Sequence, residues 1–265
     1  MRSVAWGLVE QPVTLAATLT DPAVALPGSR LQARVEHAYR AALYVRDEAS
    51  GRRGIIAIED VGGQPGAILI RGATDVRRVR GTVIVDLSAA VAWSPRLPAA
   101  ARVRSADRLP VAGKLLGVPA AAVHIRALRA GIRANDVAAA EKASVALIGL
   151  GIGLTPSGDD FLVGLLAGLE ASDHPMRDAL AAVIPREAPG RTTTFGVALL
   201  EHACRGEFSQ RLHDVLVAVA ARDAAGLRRA IARATAYGAT SGADTLAGLS
   251  CALAVAGLRT HRIAA

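Results

Sequence analysis

Two adjacent carboxylates, Asp159 and Asp160, interrupt an apolar and glycine-rich stretch, GLGIGLTPSGDDFLVGLLAGL, at residues 149–169. A helix built only to fill a core has no use for them. SGDDFLVGL at 157–165 returns as SGADTLAGL at 241–249, with six identities in nine positions at an offset of 84. In both copies the serine, Ser157 or Ser241, suits a helix N-cap. The aspartate three residues on, Asp160 or Asp244, can reach back as in a capping box and sits at the positive end of the helix dipole. Gly164 and Gly248 fall at matching positions inside the two helices, where glycine costs about 1 kcal/mol relative to alanine. That paired cost predicts a close helix–helix approach with neighbouring N-termini. Read as capping alone, the segments are two well-capped core helices. Capping accounts for one carboxylate per helix, however, and leaves Asp159 and the loop 149–156 without a role.

The chemistry available to such a loop is recognition of a small planar molecule that both donates and accepts hydrogen bonds. Amide groups of a ligand would donate to Asp159, while Asp160 lies beside it at the same helix start. Carboxylate or phosphate oxygens would accept from backbone N–H groups around Gly153, Gly158 and Gly242 and from the hydroxyls of Thr155, Ser157 and Ser241. A divalent ion on the aspartates is a further option, although two adjacent carboxylates are too few ligands to specify one. A third segment, PGRTTTFGVALLEHA at 189–203, makes another helix start at Thr192 and Thr193. Arg191 there could offer a guanidinium fork to an anion, or could simply be a surface arginine beside a threonine cap. Nucleotide motifs fail. No G-x-G-x-x-G can be completed from Gly149 or Gly151, and Asp159 and Asp160 stand where a phosphate-binding loop needs Lys and Ser or Thr.

The elements that must position these residues divide into two kinds. The chain has 265 residues, 52% of them hydrophobic but only 3% aromatic, enough for a substantial core of small side chains. Residues 1–105 read as a β-rich domain: AALYVRD (41–47), GIIAIED (54–60), GAILIRG (66–72) and GTVIVDL (81–87) are short Ile- and Val-rich runs separated by turn signals. They predict an antiparallel sheet or small barrel. Residues 106–265 read as an all-helical bundle, with apolar residues at three- and four-residue spacing such as Leu212, Val215, Leu216 and Val219. The fold class is therefore α+β.

Composition excludes several functions. The net charge of +8 is thinly spread, +5 over residues 1–105 (14 Arg, 9 acids) and +3 over the rest (17 Lys and Arg, 14 acids), with no aromatic interleaving for base stacking. Nucleic acid is not an expected partner. No run reaches the roughly 20 apolar residues of a membrane span, and Glu10 and Pro12 break any targeting core, so a cytoplasmic protein without membrane partners is expected. Cys204 and Cys251 lack ligand-like neighbours and read as buried thiols.

At these residues the chain resembles the oxamate carbamoyltransferase subunit AllH family. The resemblance rests on GLGIGLTPSGDDFLVGLLAGL, RTTTFGVALLEHACRGEFS and GATSGADTLAGL, with weaker support from IVDLSAAVAWSPRLP at 84–98. It implies a subunit of a multi-subunit enzyme of purine (allantoin) nitrogen catabolism that transfers a carbamoyl group between oxalurate and phosphate, giving oxamate and carbamoyl phosphate. Other carbamoyltransferase subunits and a small anionic amide substrate are the implied partners. Asp159 and Asp160 would be catalytic. Gly153, Thr155, Ser157, Gly158, Arg191, Thr192, Thr193, Ser241, Gly242 and Asp244 would bind substrate. The alternative is a non-catalytic metabolite-binding or assembly subunit of such a complex. The chain departs from the family pattern at Ile152, where a proline usually stands, and at Gly196, where a serine often follows the threonines.

Overall fold

The computed structural model describes residues 12–26, 28–73, 75–103 and 118–256. The chain divides into two compact units between Pro95 and Arg96. The expected boundary at 105/106 and Glu10 of the N-terminal segment lie outside the described residues.

The first unit contains β1 (Val13–Thr20), β2 (Arg30–Ala38), β3 (Ala42–Asp47), β4 (Arg53–Ile58), β5 (Ala67–Ile70), β6 (Thr82–Asp86) and the two-residue β7 (Val91–Ala92). Strands β1-β6-β2-β3-β4-β5 are hydrogen-bonded in that order, and β5 pairs back onto β1, closing a six-stranded barrel. Of the two β architectures expected, the barrel is the one formed, and it is mixed: β1 with β6 and β4 with β5 run parallel. A register break between Ala17 and Leu19 interrupts the closing β1–β5 ladder, while the other edge of β1 pairs first with β6 and then with β7. Ala33, Leu43, Ile56, Ile68, Val83 and Val85 fill the interior. Strands β1 and β2 carry no such Ile and Val run and are not foreseen by the sequence patterns above. VTLAATLT and RLQARVEHA have the alternation of half-buried strands, but with Thr, Ala, Arg and Glu in place of Ile and Val.

The second unit is helical: α1 (Ala121–Ala134), α2 (Val137–Val145), α3 (Ser157–Ala171), α4 (Met176–Glu187), α5 (Thr194–Cys204), α6 (Gln210–Ala220), α7 (Ala224–Thr235) and α8 (Ser241–Ala256). Helix α3 is apolar on every face and buries every residue but Glu170, which makes it the centre of the bundle. Its closest neighbour is α8. A Cβ on Gly164 would overlap the Thr245 carbonyl oxygen, and one on Gly248 would overlap the Phe161 carbonyl oxygen. Both glycines are therefore required by backbone-to-backbone contact.

The echo between the two segments extends well beyond nine residues. Helices α1, α2 and α3 correspond to α6, α7 and α8. Left-handed Asn135 and Arg222 end α1 and α6, while Asp136 and Asp223 cap α2 and α7 through their side chains. The N–H of Asp136 bonds Gly131 O as that of Asp223 bonds Ala218 O, all at an offset of 87. A Cβ on Gly158 or Gly242 would overlap the carbonyl of Leu147 or Ala234, and these two glycine N–H groups bond Leu150 O and Tyr237 O. From Ser157 and Ser241 onward the offset falls to 84, so the second linker is three residues shorter than the first. Thr245 and Phe161, like Gly248 and Gly164, are 84 apart, so the α3–α8 contact has the reciprocity of a two-fold relation.

Candidate functional site

The α3 and α8 N-termini meet. Thr155 Oγ1 lies 3.3 Å from Ser241 Oγ, and it donates to an Asp160 carboxylate oxygen at 3.3 Å. Ser241 also donates to Asp160, across from the other helix. The capping box foreseen for Ser157 is not what forms. Helix α3 starts one residue early, at Ser157, with Pro156 as its N-cap, and no side chain caps it. Asp160 instead takes hydroxyls from the preceding loop and from α8. Sequence separation hides such a partner.

Asp159 is fully buried and has a different set of partners. One carboxylate oxygen accepts the Gly149 N–H at 2.8 Å and the other accepts the Thr192 hydroxyl. It thus ties the entry of the glycine loop to the segment leading into α5. The next residue extends the tie: Thr193 caps α5 by accepting the Gly196 N–H at 2.9 Å and donates its hydroxyl to Leu154 O. A Cβ on Gly196 would overlap both Asp159 Oδ2 and Thr192 Oγ1, so a serine here would displace them.

The loop itself has Gly149, Gly151 and Gly153 at φ of 73, 120 and 106°, a conformation that favours glycine. Ile152 at its tip is 94% exposed. Ser157, Gly158, Gly242 and Asp244 are buried at the helix starts. Arg191 stands apart: its side chain is 52% exposed and pairs with Glu187 at 3.1 Å.

Burial dominates the electrostatics. It raises the Asp159 carboxyl above its ordinary value, opposed by the Thr192 and Gly149 hydrogen bonds. Burial also raises Asp160, to about 7; the Ser241 and Thr155 hydrogen bonds oppose it, and the charges of Asp244 and Asp159 add to it. Near neutrality Asp160 can therefore hold a proton or give one up.

Two further residues adjoin this point that no motif in the sequence singles out. Tyr237, whose carbonyl accepts the Gly242 N–H, has a hydroxyl within electrostatic reach of Asp160 and Arg211. Arg211, in the first turn of α6, places its guanidinium carbon 4.5 Å from the centre of the Tyr237 ring. A tyrosine just before GATSGAD, in a chain with 3% aromatics, is the one signal that could have marked the pair.

Among the described residues no group of three or more His, Cys, Asp or Glu side chains could hold a metal ion, and no helix is long and apolar enough to cross a membrane. Cys204 and Cys251 are buried, with thiols pushed up to about 12 and about 11 by burial. A polar cleft of about 510 Å³ opens at the opposite end of α3, lined by Arg96, Glu170, His174, Arg177, Cys204 and Arg205 among others. Two of its arginines are paired, Arg177 with Glu170 in the lining at 2.6 Å and Arg205 with Glu207 outside it at 3.2 Å. No residue of the α3–α8 site lines it.

Fold and site together define an α+β protein whose helical repeats bring two acidic helix starts into contact. Residues 147–253, which take in every site residue named above, match the family model described as oxamate carbamoyltransferase subunit AllH. The resemblance carried by the three motifs within 149–249 is upheld by this match, while IVDLSAAVAWSPRLP at 84–98 lies outside it. No solved structure matches the chain.

Proposed function

We infer that the protein is a subunit of an oxamate carbamoyltransferase acting in purine (allantoin) nitrogen catabolism in the cytoplasm, and that its reaction centre is the junction of the α3 and α8 N-termini. The observation that carries the reading is Asp160, a buried carboxyl with a pKa of about 7, ringed by the Thr155 and Ser241 hydroxyls within the segment that matches the family.

In this reading an oxygen of hydrogen phosphate bonds to the carbamoyl carbon of oxalurate while the bond from that carbon to the oxamate nitrogen breaks. The departing nitrogen needs a proton. Protonated Asp160 supplies it and recovers one from the attacking hydrogen phosphate, so that oxamate and carbamoyl phosphate leave in balance. The Ser157 N–H and the neighbouring Thr155 and Ser241 hydroxyls steady the developing oxyanion, whereas the Gly158 and Gly242 N–H groups expected to bind substrate are already bonded to Leu150 O and Tyr237 O. Asp159 is a positioning residue, holding the glycine loop against α5 through Gly149 and Thr192. No side chain here needs to serve as a covalent nucleophile, so transfer is direct.

The test is formation of carbamoyl phosphate from oxalurate and phosphate by this chain together with its partner subunits. Turnover that depends on this chain and is lost in Asp160→Ala supports the reading. Undiminished turnover by Asp160→Ala refutes the role given to that carboxyl. Ligand binding without turnover in every subunit combination points to a binding subunit instead.

A further inference from the structure

The internal repeat makes the site nearly symmetric, and the places where symmetry fails show what distinguishes its two sides. At the offset of 87 that relates α1 to α6 and Leu150 to Tyr237, Arg211 corresponds to His124. The second repeat therefore has a guanidinium on an aromatic ring where the first has an imidazole and an aliphatic chain. The linkers differ too: residues 151–156 of the first become only 238–240 in the second. One flank of the helix junction is a longer glycine loop, and the other is Arg211 on Tyr237.

The Arg211–Tyr237 pair suits anion binding. A ring 4.5 Å away holds the planar guanidinium by its face and leaves the fork of N–H donors in its plane. Burial acts against the Arg211 charge, with Arg233 adding to the effect and Tyr237 and Asp214 opposing it, and an arriving anion would favour the charged form further. Tyr237 also joins the helix junction through its carbonyl, which accepts the Gly242 N–H at 3.0 Å, and its hydroxyl feels the charges of both Arg211 and Asp160. Arg191 is half exposed, and its side chain pairs with Glu187 at 3.1 Å.

We propose that Arg211, seated on Tyr237, is the residue that takes the carboxylate of the substrate at this site, leaving the amide end to the Asp160 side. The proposal rests on the functional reading above and adds to it a specificity-determining residue. Oxamate and its neutral analogue oxamide, in which an amide replaces the carboxylate, separate this role from a structural one.

The experiment is calorimetric titration of the full chain with each compound, in wild type, Arg211→Gln, Arg211→Lys and Arg191→Gln, with thermal melting of each variant as the folding control. Loss of a charge-assisted fork is expected to weaken oxamate binding by about tenfold or more in Arg211→Gln. Arg211→Lys, which keeps the charge without the planar fork, should lose less. Oxamide binding should not change in either variant, and Arg191→Gln should bind oxamate as wild type does. Wild-type oxamate binding that survives Arg211→Gln and Arg211→Lys, or that falls only in Arg191→Gln, overturns this inference alone. A wild-type chain that binds neither compound overturns the functional reading and this inference with it.

Discussion

Gly164 and Gly248 each face a backbone carbonyl of the other's helix, Gly164 that of Thr245 and Gly248 that of Phe161. Because the obstruction on both sides is main chain, side-chain repacking cannot relieve it. Alanine at either position would gain about 1 kcal/mol of helix propensity. It would lose more through overpacking, which typically costs about 1–3 kcal/mol and more where backbone must move. Gly164→Ala and Gly248→Ala are expected to lower the denaturation midpoint by similar amounts. A midpoint at or above wild type for either would show that the helices do not touch as described.

Removing the Asp159 carboxylate should loosen the glycine loop. Asp159→Ala leaves the Gly149 N–H and the Thr192 hydroxyl without this acceptor, at a cost of about 1–3 kcal/mol. Hydrogen exchange should then speed up over residues 149–156 and at the start of α5, while the barrel strands keep their protection. Unchanged exchange in the loop would argue against the tie.

The Thr193 cap joins the same network. Thr193→Ala removes its bond to the Gly196 N–H and its donation to Leu154 O. About 1 kcal/mol of stability should be lost, and Thr193→Ser should restore most of it. Urea denaturation of the two variants decides this.

The Asp160 carboxyl sets a pH dependence. Its folded value of about 7 lies above the unfolded value near 3.8, so the folded state holds the proton more tightly between these limits. The stabilisation from the protonated form is fully present below the lower limit and is lost as pH rises through about 7. Asp160→Asn, which cannot ionise, should escape this loss. The melting temperature of the variant minus that of wild type should therefore grow as pH rises from 4 to 8. A difference independent of pH would place the Asp160 pKa in the ordinary carboxylate range.

Much of this architecture is legible in the sequence because its signals are local. Ile and Val runs at 54–60 and 81–87 and the three- and four-residue spacing around Leu212 report the side of each element that faces a core. Strands β1 and β2 are not, because they lack the Ile and Val runs of the others, β2 being built largely of Arg, Gln, Ala and Glu and β1 of Thr, Ala and Leu. Gly164 and Gly248 foretell a close approach, since glycine weakens a helix interior and only contact with a neighbouring backbone offsets that loss at two matching positions. The partners of the site's carboxylates are not legible. Asp160 meets Ser241 from 81 positions away and Asp159 meets Thr192 from 33, and Arg211 acquires its meaning only through the ring it rests on.

Main-chain atoms are the one part of a protein that mutation cannot resize. At the α3–α8 crossing each repeat therefore imposes glycine on the other, and no second-site change in a side chain can free either position. Within the linkers at 151–156 and 238–240 a main-chain obstruction reaches only Gly151, whose Cβ would meet the Ser157 nitrogen at 2.9 Å. Descendants of this fold should diverge in loop length and loop composition, retuning what the junction accepts, while the crossing beneath stays frozen.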